Sequence, residues 1–325
     1  MKRRTLGRTG IPVSSMGLGT ATWGAATVPE DAARQLRAFV DAGGNLLDTA
    51  DVYADGVSEE IIGGLLGRVV PRSEIVLATK AVGVLNDPAR RQNASYSHLL
   101  KALDSSLARL NTDHVDLWQL HAWDADTPLD ETLRAVDEAV ASGRVRHAGI
   151  CNYSGWQTAK AAVLQSADGR TPLVSVQLEY SLLERGIERE AIPAAADAGL
   201  CLLPWAPLGR GVLTGKYQGG VPKQRMRSPF FQAYVGRFLD ERSAGIVAEV
   251  VSVAERLGAS PLAVSLAWVR ERPLVAAPLV GARTVDQLRE SLADDVLDLV
   301  LPDDIRAHLD EVSAPVLGYP EQIVM

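Results

Sequence analysis

Short apolar runs alternate with longer amphipathic ones along almost the whole chain. The short runs, near 16–19, 44–48, 75–80, 115–120, 145–150, 173–178, 200–204 and 274–280, predict strands. Between them, apolar positions at helical spacing predict helices near 29–42, 58–67, 95–110, 128–141, 154–166 and 187–198, a pair within 243–271, and two more near 284–292 and 302–312. End signals agree: Ser95 opens one helix, and Gly143 and Gly199 stand just past two others as C-cap residues. Most strands recur about every 30 residues, the length of one βα unit.

Eight β-then-α units in series predict a parallel sheet closed into a (β/α)8 TIM barrel. An open doubly wound sheet would more often carry a glycine-rich first turn. Here Gly17-Leu18-Gly19 has no third glycine opening a helix, so it reads as a tight strand exit. Segment 2–13 predicts a small hairpin closing the barrel floor, and no linker divides the chain, so residues 1–325 read as one domain. The regular spacing breaks once, after the seventh strand. Residues 206–242 carry glycines, prolines and arginines with Phe230, Phe231, Tyr234 and Phe238. A loop of this length is either a cover over a ligand on the catalytic face or a surface excursion with its own small helix.

Several strands end on ionisable side chains. Asn45-Leu46-Leu47 stops at Asp48, with Tyr53 five residues on; Ile75–Thr79 stops at Lys80; Val115–Leu120 stops at His121. In α/β folds that end of the strands is where ligands bind. An ammonium near a phenol favours the phenolate and lowers its pKa, so Lys80 is expected to act on Tyr53 in this way. Asp48 would keep the desolvated lysine charged, and a neutral His121 N–H would orient a substrate oxygen. Together they would deliver a proton to an oxygen on which negative charge develops, as on a carbonyl accepting hydride. Each has a blander role alone: Asp48 as a cap, Lys80 reaching to solvent, Tyr53 and His121 as packed rings.

Composition narrows the field further. A formal charge of −7 with no basic stripe argues against nucleic acid as partner. No run of about 18 apolar residues predicts a membrane span. Met1-Lys2-Arg3-Arg4 is followed by Gly7, Gly10, Pro12, Ser14 and Ser15 rather than by a signal-peptide core. Two cysteines, Cys151 and Cys201, make no disulfide framework and fit a reducing compartment, with the cytoplasm as the expected location. The helix pattern shows no apolar seam demanding a partner protein, and none that sets an oligomeric state.

The chain resembles the aldo-keto reductases over roughly residues 2–315. The matching segments are Leu47-Asp48-Thr49-Ala50-Asp51-Val52-Tyr53, Ala78-Thr79-Lys80, Asp116-Leu117-Trp118-Gln119-Leu120-His121, Gly149-Ile150-Cys151-Asn152-Tyr153-Ser154 and Pro204-Trp205-Ala206-Pro207-Leu208-Gly209. The resemblance implies NADPH-dependent reduction of an aldehyde or ketone without a metal, by a small-molecule carbonyl substrate meeting Tyr53 as proton donor, Asp48 and Lys80 as its tuning pair and His121 as carbonyl guide. It implies that Asn152 and Gln177 hold the nicotinamide carboxamide and that the ring stacks on Trp205. It also implies that Pro207, Leu208 and Gly209 border the cofactor, and that Gly281, Ala282, Arg283, Gln287 and Glu290 grip the adenosine phosphate, with Arg283 suited to the 2′-phosphate of NADPH. The chain departs from the family pattern at Cys151, usually serine, at Ser291, commonly an adenine-contacting asparagine, and at Val280, frequently proline. Trp23 and Trp123 are expected to wall the substrate pocket, with Asp124 and Arg210 as possible polar contacts. Two other readings fit parts of this pattern: a barrel aldolase with Lys80 as Schiff-base nucleophile, and a nucleotide-binding regulatory subunit of the same fold with slow turnover.

Overall fold

The computed structural model describes residues 1–84, 92–167, 169–220, 227 and 229–319, with the side chains of 229–231 excepted. Two short strands, β1 (Arg3–Thr5) and β2 (Pro12–Ser14), pair antiparallel. Eight more form a closed parallel barrel: β3 (Gly17–Gly19), β4 (Leu46–Asp48), β5 (Val76–Ala81), β6 (Val115–Leu120), β7 (Val145–Cys151), β8 (Leu173–Glu179), β9 (Cys201–Trp205) and β10 (Leu279–Val280), each beside its sequence neighbour and β10 closing onto β3. The expected (β/α)8 architecture and hairpin are both present.

Helices α1 (Pro29–Asp41), α2 (Val57–Leu65), α3 (Tyr96–Leu110), α4 (Leu129–Ala141), α5 (Gly155–Gln165) and α6 (Ala191–Ala198) follow successive strands. After β9 come α7 (Pro229–Tyr234), α8 (Glu241–Leu257) and α9 (Pro261–Arg270); after β10 come α10 (Val285–Leu292), α11 (Asp294–Leu297) and α12 (Asp303–Val312). Among the described residues no single helix is long and apolar enough to cross a membrane; α8 and α9 reach that length only together, across a 101° bend.

Two-residue periodicity along the strands sorts the barrel interior into an apolar floor and a polar mouth. Leu46, Val76, Ala78, Leu117, Leu203 and Leu279 form the floor with Leu6 and Val13 of the hairpin, all essentially buried. One step further along the same inward faces stand Asp48, Lys80 and Gln119. A second, larger apolar layer fills the space between strands and helices.

The hairpin seats on the floor through Gly7. Its φ is +56°, and a Cβ there would lie 2.2 Å from the Val174 carbonyl oxygen. Gly7→Ala is therefore expected to lower stability by roughly 2–4 kcal/mol, from backbone strain plus overpacking. Urea unfolding measures this; a loss under about 0.5 kcal/mol would show that the hairpin simply yields.

The excursion after β9 is not structureless. It contains a tight turn at Gly209–Thr214, α7, and a further turn at Gly236–Phe238, where Phe238 is buried and Tyr234 exposed. The side chains of Phe230 and Phe231 lie outside the described residues. Arg237 pairs with Glu179 at the end of β8, and Arg210 lies 3.3 Å from the same carboxylate. Arg210 also lies over the Trp205 ring at 5.1 Å and the Tyr234 ring at 4.7 Å. These contacts hold the excursion against the ends of β8 and β9, and the small helix expected within it is present.

Candidate active site

Past the end of β4 at Asp48, the backbone N–H groups of buried Thr49 and Asp51 still donate to the Ala78 and Lys80 carbonyls of β5. Tyr53 then enters a tight turn in which Ala54, Asp55 and Gly56 all have positive φ. That turn brings the phenol back over the mouth. Lys80, inward-facing on β5 and fully buried, donates to Asp48 Oδ2 at 2.6 Å, to the Thr49 carbonyl at 2.8 Å and to the Tyr53 hydroxyl at 3.3 Å. His121, one residue past β6, meets the Tyr53 ring edge-on with centroids 5.9 Å apart. The four strand-end residues therefore share one mouth.

Their charge states follow from burial and neighbours. Burial pulls the Lys80 ammonium down, but Asp48 and then Tyr53 lift it above the ordinary lysine value, so it stays charged. Burial drives Tyr53 up; Lys80 opposes this without reversing it. The expectation that Lys80 would acidify the phenol is thus corrected: desolvation outweighs the ammonium, and the hydroxyl keeps its proton. Burial first, and the Lys80 charge second, push His121 down to about 3, leaving a neutral imidazole.

A buried amide pair lies beneath. Asp48 Oδ1 accepts from Gln177 Nε2 at 2.9 Å and from Gln119 Nε2 at 3.2 Å. Gln119 pairs with Lys80 across the β5–β6 ladder and is fully buried. The strand-end pattern assigns it no role, although a lone uncharged polar residue facing inward from an apolar strand is a legible signal.

The expected cofactor positions divide into two groups. At the mouth, Asn152 holds a left-handed backbone, donates through Nδ2 to the His121 carbonyl at 2.9 Å, and accepts from Trp205 Nε1 at 3.1 Å. Half-exposed Trp205 ends β9, and the chain then turns sharply at Ala206, leaving Pro207 and Gly209 buried and Leu208 half-buried. An open cavity of about 540 Å³ borders Asn152, Trp205 and the Glu184–Ala191 wall. That wall is tied down by Arg185, which pairs with Glu188 and donates to the Asp310 carbonyl at 2.6 Å. A half-exposed indole at a strand end, bonded to the Asn152 amide and bordering an open cavity, fits a flat carboxamide-bearing ring, although Tyr53, Lys80, His121 and Gln177 do not line that cavity.

The second group surrounds the start of α10. Ala282 is buried, and its carbonyl accepts from Thr22 Oγ1 at 2.8 Å, while Gly281, Arg283, Gln287 and Glu290 are exposed. Thr284 caps α10, and Gln287 Oε1 accepts from the Arg283 N–H at 3.1 Å. Arg283 is exposed, and its guanidinium takes no part in that backbone bond. Ser291 is buried against the Gln287 carbonyl, so its hydroxyl serves the helix.

The substrate wall needs correction. Trp23 is fully buried, its indole donating to Gln35 Oε1 at 3.0 Å, because Gly24 at φ +82° folds the chain back toward α1. It presents no surface to a ligand. Trp123 is half-exposed and meets Tyr153 and Trp156 edge-on, each at 5.2 Å. Asp124 is engaged by the Ala94 N–H and by Thr127 Oγ1, and Arg210 by Glu179, so both serve loop structure.

Residues 15–314 match the Aldo/keto reductase family. An uncharacterized oxidoreductase, YrpG, of Bacillus subtilis is 36% identical over 90% of this chain and 90% of its own length. A probable voltage-gated potassium channel subunit beta of Oryza sativa is 33% identical, covering 99% and 98%. The versiconal hemiacetal acetate reductase of Aspergillus parasiticus is 30% identical, covering 98% and 99%.

Proposed function

This chain belongs to the aldo/keto reductase family, and from that premise we propose that it is an NADPH-dependent carbonyl reductase with Tyr53 as the proton donor. The observation that carries this reading is the Lys80 ammonium, held at 2.6 Å by Asp48 and 3.3 Å from a protonated Tyr53 hydroxyl.

A bound nicotinamide would supply the hydride that adds to the carbonyl carbon. As the C=O π pair moves onto oxygen, Tyr53 transfers its hydroxyl proton there, and the O–H electron pair stays on the phenolate. Lys80 stabilises that phenolate, which regains its proton from solvent. His121, neutral across the working pH range, donates an N–H to the carbonyl oxygen and fixes its approach. Asn152 and Gln177 hold the carboxamide, and Trp205 supplies the stacking face. Two buried cysteines without a disulfide suit the cytoplasm.

The Schiff-base reading is disfavoured by the same geometry, since a lysine amine must be neutral to attack and Lys80 is held charged. The relative named as a channel beta subunit supports one alternative, a nucleotide-binding regulatory subunit. Turnover separates the two. Purified protein is expected to oxidise NADPH at several turnovers per second with at least one member of a carbonyl panel; tight nucleotide binding without turnover on any member would favour the regulatory role.

Arg283 sets the cofactor preference. Arg283→Met is expected to weaken NADPH roughly tenfold or more while leaving NADH nearly unchanged, because only the 2′-phosphate needs the guanidinium fork. Parallel titrations with both nucleotides check this, and equal losses for the two would remove Arg283 from that role.

A further inference from the structure

Asp48, Gln119 and Gln177 form a chain in which each member fixes the orientation of the next. Lys80 keeps Asp48 in its acceptor-only form, 2.6 Å away. Gln119 must therefore turn its Nε2 to Asp48 Oδ1, at 3.2 Å, which leaves its Oε1 facing Gln177. Gln177 in turn must direct its Nε2 downward, to that Oε1 at 3.3 Å and to Asp48 Oδ1 at 2.9 Å. The carbonyl end of Gln177 is thereby turned away from both, and no described residue donates to it.

We propose that Gln119 is a positioning residue that locks Gln177 with its carbonyl oxygen toward the mouth, as the acceptor for the carboxamide N–H of a bound nicotinamide. The proposal rests on the nucleotide-dependent reading above and deepens it. It makes the charge that serves the proton donor also set the polarity of the cofactor contact. A Gln177 amide free to flip would offer N–H to N–H half the time, and Asp48 would lose one of its two amide donors. The packing leaves little slack, since a Cβ at Gly149 would lie 3.3 Å from Gln119 Cγ and 2.4 Å from Ser175 Oγ.

The test uses two variants, each checked for folding by thermal unfolding, with NADPH affinity read by fluorescence titration and kcat by NADPH oxidation. Gln119→Met keeps the volume and removes both of its bonds, leaving Gln177 Nε2 held by Asp48 alone; NADPH affinity is expected to fall roughly three- to tenfold, part of the effect of one buried hydrogen bond. Gln119→Glu discriminates the wiring from mere packing. Protonated, it reproduces the donor to Asp48 and the acceptor for Gln177. Ionised, it repels Asp48 but still accepts from Gln177 Nε2, so the Gln177 carbonyl keeps its direction in both forms. The other titratable groups around Asp48 are Lys80 from β5, Tyr53, His121 and Cys151 from β7. Gln119→Glu is therefore expected to bind NADPH within about threefold of the parent from pH 6 to 9, while Gln119→Met stays weaker throughout. Parent-like affinity in Gln119→Met, or a Gln119→Glu variant as weak as Gln119→Met, overturns the proposal alone. A parent protein that binds no NADPH overturns both it and the functional reading.

Discussion

Tyr53→Phe is expected to reduce the rate of NADPH-dependent aldehyde reduction by roughly 10²–10⁴-fold, the range that one positioned general acid supplies. The phenol ring packs edge-on against His121 and lies 4.9 Å from Lys80 Nζ, contacts that Phe keeps. Only the hydroxyl leaves, and with it the proton-bearing oxygen that Lys80 Nζ meets at 3.3 Å. The loss should fall on kcat, since the nucleotide contacts assigned to Asn152, Gln177 and Trp205 are untouched, so NADPH affinity should stay within about threefold of the parent. The pH profile adds a second criterion. Burial holds the Tyr53 proton above the ordinary phenol value, so parental activity should not decline from tyrosine ionisation as pH rises from 6 to 9. Steady-state kinetics over that interval, with a parallel binding titration, decide the matter. If Tyr53→Phe keeps full kcat, the proton comes from elsewhere.

Much of this site is legible in the chain because a barrel converts sequence position directly into depth. A strand that faces inward at every second residue and stops on Asp48 or Lys80 must carry that group to the mouth, and the floor residues below obey the same rule. Strand positions follow from the apolar runs to within a few residues. What the pattern does not encode is how a loop folds back. Trp23 looks like a pocket wall beside a strand exit, but Gly24 and the Gln35 acceptor on α1 turn it into core. The balance of charges is likewise a property of depth. Lysine next to tyrosine suggests an acidified phenol until the desolvation of the phenol itself is included. Gln119 escapes notice for a third reason: its role lies in the order of donors and acceptors between three side chains from β4, β6 and β8, distant in sequence. At α10 the expected grip residues are present, but the Gln287 side chain is occupied at the helix start, where it accepts from the Arg283 N–H, and Ser291 bonds back to the Gln287 carbonyl in the last turn.

Asp48→Leu should be the most destabilising single change at the mouth, by about 3–5 kcal/mol, because it strands a fully buried ammonium without its counter-charge. The loss should carry a distinctive pH dependence. In the parent, the folded-state pKa of Lys80 lies above its unfolded value, so the pair's contribution is complete below about pH 10 and disappears only as pH rises through the folded value. Between pH 6 and 9 this group should therefore leave parental stability flat. Removing Asp48 leaves desolvation as the dominant influence, which lowers the folded pKa of Lys80 beneath the unfolded one. The unfolded chain then binds more protons, and stability must rise with pH across the same interval. Asp48→Leu should thus be weakest near pH 6 and recover toward pH 9, whereas Lys80→Met/Asp48→Leu, with both charges gone, should regain most of the loss and show no such slope. Urea unfolding of the three proteins at pH 6, 7.5 and 9 reads all of this. A flat profile for Asp48→Leu would mean that Lys80 reaches water or another anion when Asp48 is absent, and the site's charge would then depend less on this pair than its 2.6 Å contact implies.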